Sequence, residues 1–98
     1  MGYNVLASSQ SEGDVERILK YYLKINHRLA KEFLNELRAT RKYIQKHPKK
    51  IQVRYSDIRI AFLKRFPVGI HFKLVGNTIY ILSILGTSED PKKWDDLG

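Results

Sequence analysis

The chain has 98 residues, of which 43% are hydrophobic and 29% charged, with a formal net charge of +8. That is one domain's worth of globular chain, and the balance excludes intrinsic disorder. There is no cysteine, which excludes a disulfide framework and a thiolate metal site, and no apolar run approaches the roughly 18 residues that a membrane span needs.

In chain order, residues 3–6 predict a short first strand. Ser11-Glu12-Gly13-Asp14 reads as a capping box, with Ser11 at the N-cap and Asp14 at N3. Val15, Ile18, Leu19, Tyr22 and Leu23 follow at helical spacing, and Asn26-His27 interrupts the pattern. A second helix carries Leu29, Ala30, Phe33, Leu34, Leu37 and Ile44 on one face. Pro48 ends it, with Lys46 and His47 in the last turn, where cations suit the helix dipole. So short a connection predicts an antiparallel helix hairpin.

The period then changes. Ile51, Val53 and Tyr55 alternate with Gln52 and Arg54, and Ser56-Asp57 is a turn. Residues 58–66 predict a mixed apolar and basic strand. Val68, Ile70, Phe72 and Leu74 alternate with Gly69, His71 and Lys73, Gly76-Asn77 is a two-residue hairpin turn, and residues 79–85 predict an apolar central strand covered on both faces. Helices followed by strands give an α+β fold: a two-helix antiparallel hairpin packed on a twisted, mostly antiparallel sheet, one domain over residues 1–98. The expected core includes Ile18, Phe33, Leu37, Ile70, Phe72, Ile81 and Ile84. The sheet face away from the helices should carry Arg54, Arg59, one of Lys64 and Arg65, His71 and Lys73.

Charge is concentrated. Residues 41–75 hold ten Lys/Arg against the single carboxylate of Asp57, whereas residues 1–40 net only +1 and residues 76–98 net −2. A confined basic field suits a polyanionic or acidic partner; the plain alternative is a solvated surface. The N-terminus has no basic segment followed by an apolar run, so a cytoplasmic location is expected.

The order of elements, together with Arg59, then Arg65-Phe66-Pro67-Val68-Gly69-Ile70, then Ile79-Tyr80-Ile81-Leu82-Ser83-Ile84-Leu85, then Asp90-Pro91-Lys92-Lys93-Trp94, resembles the RelE/ParE toxin superfamily over nearly the whole chain. Ala30, Phe33, Leu34 and Leu37 resemble that family's second helix. The resemblance implies the toxin of a type II toxin–antitoxin module, a class tied to plasmid stabilisation and growth inhibition. RelE-like members cleave mRNA on the ribosome, ParE-like members poison DNA gyrase, and both are restrained by an antitoxin whose C-terminal segment wraps the toxin.

One departure from the family bears on mechanism. Many members close the last strand with His and place an Arg three residues on; here those positions hold Gly86 and Glu89, and no Tyr follows Tyr80. A carboxylate cannot stabilise charge developing on a scissile phosphate, and the indole of Trp94 offers only a donor. A ribonuclease would need a base, an acid and cations. Arg59 and Arg65 are the natural phosphate clamps and His71 the titrating group. His27 and His47 read as capping or exposed residues, and Tyr21 and Tyr22 as core and core edge. Phe62, Phe72 and Tyr80 fall in apolar phases or buried strands, which argues against a base-stacking platform.

The expected function is inhibition of a protein target such as DNA gyrase, neutralised by an acidic-tailed antitoxin with which the chain could form an oligomer. The alternatives are a metal-independent, ribosome-dependent mRNA endonuclease and a degenerate member that binds only antitoxin. The partner or nucleic-acid surface is expected at Arg54, Arg59, Lys64, Arg65, His71 and Lys73, with no metal, cofactor or membrane.

Overall fold

The computed structural model describes residues 2–87. Strand β1 (Asn4–Ala7) leads into helix α1 (Ser9–Ile25) and helix α2 (His27–Lys46); a 3₁₀ turn (Pro48–Lys50) then precedes β2 (Val53–Tyr55), β3 (Ile58–Phe62), β4 (Val68–Val75) and β5 (Thr78–Gly86). The five strands form one sheet in the order β1-β5-β4-β3-β2. β1 runs parallel to β5, and every other pairing is antiparallel.

The helix hairpin turns on one residue. Asn26 is extended, gives its N–H to the Tyr22 carbonyl at 3.0 Å and accepts the Leu29 N–H on its side chain at 2.7 Å. It therefore caps the end of α1 and the start of α2 together, satisfying orphan groups of both. His27, expected in the turn, is the first residue of α2.

The start of α1 differs from the expected capping box. Ser8 is the N-cap: its Oγ accepts the Ser11 N–H at 3.0 Å, and the Ser11 hydroxyl donates back to the Ser8 carbonyl at 2.8 Å. The helix thus begins one turn before the apolar periodicity, because Ser8 offers a cap that the pattern of apolar residues does not mark. Asp14 is left for another task.

All seven expected core residues are buried, and they join α1 and α2 to the inner face of the sheet. Tyr22, Phe33 and Phe66 form its aromatic centre, with ring centroids 5.0–5.6 Å apart. The third member explains a second departure. The strand expected over residues 58–66 stops at Phe62; Leu63 donates to Val68 at 2.9 Å, Val68 to Phe66 at 2.7 Å, and the reversal brings Phe66 inward between the helices. Burying an aromatic ring of this size outweighs a few more ladder bonds on a short strand. Gly76 closes the β4–β5 hairpin at φ +59°, where glycine meets no Cβ penalty.

Candidate functional site

Two polar features stand out from this frame: an electropositive groove along α2, and a buried polar chain through the centre of the sheet.

The groove lies between the C-terminal half of α2 and the β2–β3 end of the sheet, with a volume of about 860 Å³. Ala39, Thr40 and Tyr43 form its helical wall; Ile51, Ile60 and Ala61 are at its floor; Lys50, Arg54, Lys64 and Arg65 surround it, with Glu36 its one carboxylate. Glu36 is already engaged. Its carboxylate accepts the Arg65 backbone N–H at 2.7 Å and the Arg65 Nε at 3.1 Å, while Glu32 lies 3.8 Å from the same guanidinium. Burial pushes the Glu36 pKa upward, but the hydrogen bonds from Arg65 and Lys64 and the Arg65 charge prevail and hold it below the ordinary value. Arg65 therefore latches the 63–67 loop onto α2. Arg54 lies over the Phe62 ring at 5.4 Å. Lys50, Arg54 and Lys64 are exposed and make no ion pair among the described residues.

The second feature starts from a bulge. The β4–β5 register shifts between His71 and Phe72, which pair with Ser83 and Ile81, so Leu82 is the extra residue. Helix α1 occupies the disruption. The Ser8 hydroxyl donates to the Leu82 carbonyl at 2.9 Å, and the Asp14 carboxylate accepts the Ile84 N–H at 3.0 Å, the Gln10 side-chain amide at 3.1 Å and the Ser83 hydroxyl. Across the ladder from Ser83, His71 is 1% exposed, with Nδ1 2.9 Å from the Tyr55 hydroxyl. Burial lowers the His71 pKa to about 4, with Asp14 pulling the other way, so the imidazole is neutral at pH 7.

The expected site residues are thereby divided. His71 keeps the outward phase of its strand but is buried, which corrects the expectation of a surface imidazole. Arg59 pairs across the ladder with Phe72, a core residue, so it shares the helix-side face and not the outer one; its Nη1 donates to the Ile51 carbonyl at 2.7 Å. Neither Lys64 nor Arg65 is on a strand: both follow the end of β3, and Arg65 is bound to α2. Lys73 is half-buried, 3.6 Å from Asp57. Arg54, Lys64 and Arg65 meet at the groove; Arg59, His71 and Lys73 do not join them. Sequence reasoning missed Tyr43 and Lys50 as groove residues. It also took Phe62 and Tyr80 as inward, whereas both rings are exposed; Phe72 is buried as expected. Glu89 and the Asp90-Pro91-Lys92-Lys93-Trp94 segment lie outside the described residues.

No family model and no curated protein matches the sequence. Among solved structures, a chain of the chromosomal ParDE TA system from P. aeruginosa matches with a TM-score of 0.76, at 19% identity, over 86% of this chain and 95% of that one. The chain has a ParE-like fold. No helix among the described residues is long and apolar enough to cross a membrane, and no cluster of potential metal ligands occurs among them.

Proposed function

We propose that this chain is the toxin of a type II toxin–antitoxin module and that it acts by binding and inhibiting a protein target such as DNA gyrase. The observation that carries the reading is its likeness in fold to a chain of a ParDE TA system. The basic stretch supports a matching antitoxin with an acidic segment: ten cations in residues 41–75 face one carboxylate in sequence.

Binding is favoured over RNA cleavage by the state of the candidate catalytic groups. An in-line attack by a 2′-hydroxyl needs a titrating group at the surface beside free cations. His71 is buried and neutral, Arg59 is committed to the Ile51 carbonyl, and Arg65 is committed to Glu36. Arg59 and His71 also occupy opposite faces of the sheet, since the partner of His71 on β3 is Ile60, the next residue along. Gly86 and Glu89 stand in sequence where the resembling ribonucleases carry His and Arg, and among the described residues Arg59, Arg65 and His71 are not gathered.

Controlled expression in cells tests the reading. Gyrase poisoning gives DNA-damage signalling, filamentation and trapped cleavage complexes while mRNA stays intact. Codon-positioned mRNA cuts that disappear in folded Arg59→Ala or His71→Ala protein would establish the endonuclease instead. A chain that binds antitoxin and leaves growth, DNA and mRNA untouched would be a degenerate member.

A further inference from the structure

We propose that the sheet face opposite the helices is the docking site of the chain's own residues 88–98, with Trp94 as the apolar anchor. This contact does not depend on the toxin reading.

The register defines that face. Ile58, Ile60 and Phe62 of β3 stand opposite Lys73, His71 and Gly69 of β4, which in turn stand opposite Tyr80, Ser83 and Leu85 of β5. Residues directly opposite in a ladder share a face. Ile70, Phe72, Ile81 and Ile84 hold the other face, where α1 and α2 pack. When one face of an antiparallel sheet meets water, the phase on that side is polar. Here it carries Ile58, Ile60 and Leu85. Ile58 is 0%, Ile60 3%, His71 1% and Leu85 6% exposed, whereas Phe62 on the same face is 43% and Tyr80 38% exposed. The dry residues therefore make a diagonal stripe. It runs from Leu85 at the end of β5, across β4, to Ile58 at the start of β3, with an open ring on each side.

Neither helix covers this stripe, because both lie on the far face. The 63–67 loop turns the other way and takes Phe66 between the helices. Tyr55 pairs with Ile58 and sets its hydroxyl on His71, which shades one end, but Leu85 is two strands away from Ile58. The N-terminal end of the chain is held elsewhere, since Tyr3 bonds to Gln45 on α2 through both its N–H and its carbonyl. The segment after β5 fits. It leaves Gly86 beside Leu85, at the head of the stripe. The stripe is roughly 15–20 Å long by ordinary strand spacings. Trp94 is seven positions after Thr87, a reach of up to about 23 Å for extended chain. Trp94 and Leu97 supply apolar side chains, and Glu89, Asp90, Asp95 and Asp96 outnumber Lys92 and Lys93. That excess suits a face rimmed by Lys73 and by Arg54, which lies over Phe62. A second copy or a folded partner would cover Phe62 and Tyr80 along with the stripe. A single crossing segment leaves both open.

Two optical probes read the contact in the full-length protein, because Trp94 is its one tryptophan and it has no cysteine. Trp94 emission should be blue-shifted, and its quenching by acrylamide reduced, relative to a synthetic peptide of residues 88–98 at the same pH. A bimane label on Phe62→Cys or Lys73→Cys, the positions flanking the stripe, should be quenched and should recover its intensity when Trp94→Phe is added. The same label on Tyr21→Cys, exposed on α1, should not respond to Trp94→Phe. None of the labelled positions is in the core, so the fold should survive, and circular dichroism checks it. A Trp94 as open to acrylamide as in the peptide overturns the proposal. So does a protected Trp94 whose replacement leaves both outer-face labels unchanged, which would place the segment elsewhere. Quenching that disappears on dilution would assign the face to a second copy and overturn it equally.

Discussion

Asp14 and Ile84 are separated by 70 positions in the chain, yet the Asp14 carboxylate accepts the Ile84 backbone N–H at 3.0 Å. Ile84 lies two residues past the bulge at Leu82 and beyond Ala7↔Ile81, where the pairing of β1 with β5 ends, and a side chain from α1 takes its N–H there. The same carboxylate takes the Ser83 hydroxyl, and Arg17 stands 3.7 Å away at its exposed side. One residue thus docks the first helix on the sheet and supplies an acceptor where the β1 pairing has ended.

Removing that carboxylate should be costly. Asp14→Ala would leave a buried N–H and a buried hydroxyl without their acceptor, and should destabilise the fold by about 2–4 kcal/mol. Ser83→Ala removes a donor and leaves the Ile84 contact intact, so it should cost about 1 kcal/mol. Urea unfolding of both variants measures this. An Asp14→Ala midpoint equal to the parent's would mean that the bridge contributes nothing.

The buried imidazole makes stability depend on pH in a definite direction. Folded His71 titrates near 4, lowered from 6.5 by burial with Asp14 offsetting part of the shift. As pH falls, the unfolded chain takes up the proton first. The contribution of a neutral His71 is therefore complete above about pH 6.5 and is lost between 6.5 and 4. Moving from pH 7 to pH 5 should cost about 1–2 kcal/mol, and His71→Gln should flatten the slope in that window. Denaturant titrations at several pH values decide the matter; an unchanged slope in the variant would place the pH dependence elsewhere.

Two glycines should respond in opposite ways to the same substitution. A Cβ at Gly69 would sit 2.8 Å from Ile60 Cγ2 and 3.3 Å from Phe62 Cδ1, on the neighbouring strand. Gly69→Ala should cost about 1–3 kcal/mol, because a β-branched side chain on a paired strand has little room to yield. Gly13 is on α1 and a Cβ there meets nothing within 4 Å, so Gly13→Ala should stabilise by about 0.5–1 kcal/mol. Melting temperatures that move the same way for both would refute this account of the space around them.

The basic segment should govern how fast an acidic antitoxin segment arrives. Replacing Arg54, Lys64 and Lys73 by Glu should slow association by at least about tenfold at low salt and reduce its salt dependence. Dissociation should change less, since apolar anchors hold most of the affinity of such complexes. Stopped-flow measurements across ionic strengths give both rates. An unaltered on-rate and salt slope would assign the cations to another ligand.

The amino-acid sequence by itself determined the two helices, the hairpin between them, the alternation of β4 and the apolar content of β5. Each depends on a periodicity that neighbouring residues express locally: Phe33 and Leu37 four apart on α2, Ile70 and Phe72 two apart on β4. It also determined the asymmetry of charge, which is a matter of counting. Only the tertiary structure decided which polar groups meet. Asp14 reads as a cap from its spacing to Ser11, and becomes a sheet ligand because the fold sets it against the Ile84 N–H, 70 residues away and beyond the end of the β1 pairing. His71 reads as outward from its phase, yet it is buried, with the Tyr55 hydroxyl on its Nδ1. Arg65 reads as a phosphate clamp and is taken by Glu36, a partner 29 positions earlier on α2. The groove is assembled from α2, the 3₁₀ turn, β2, β3 and the loop that follows β3. Periodicity specifies which side of an element a residue occupies. What stands on that side is set by long-range register, where one inserted residue or one inward-turned Phe66 redirects every polar contact around it.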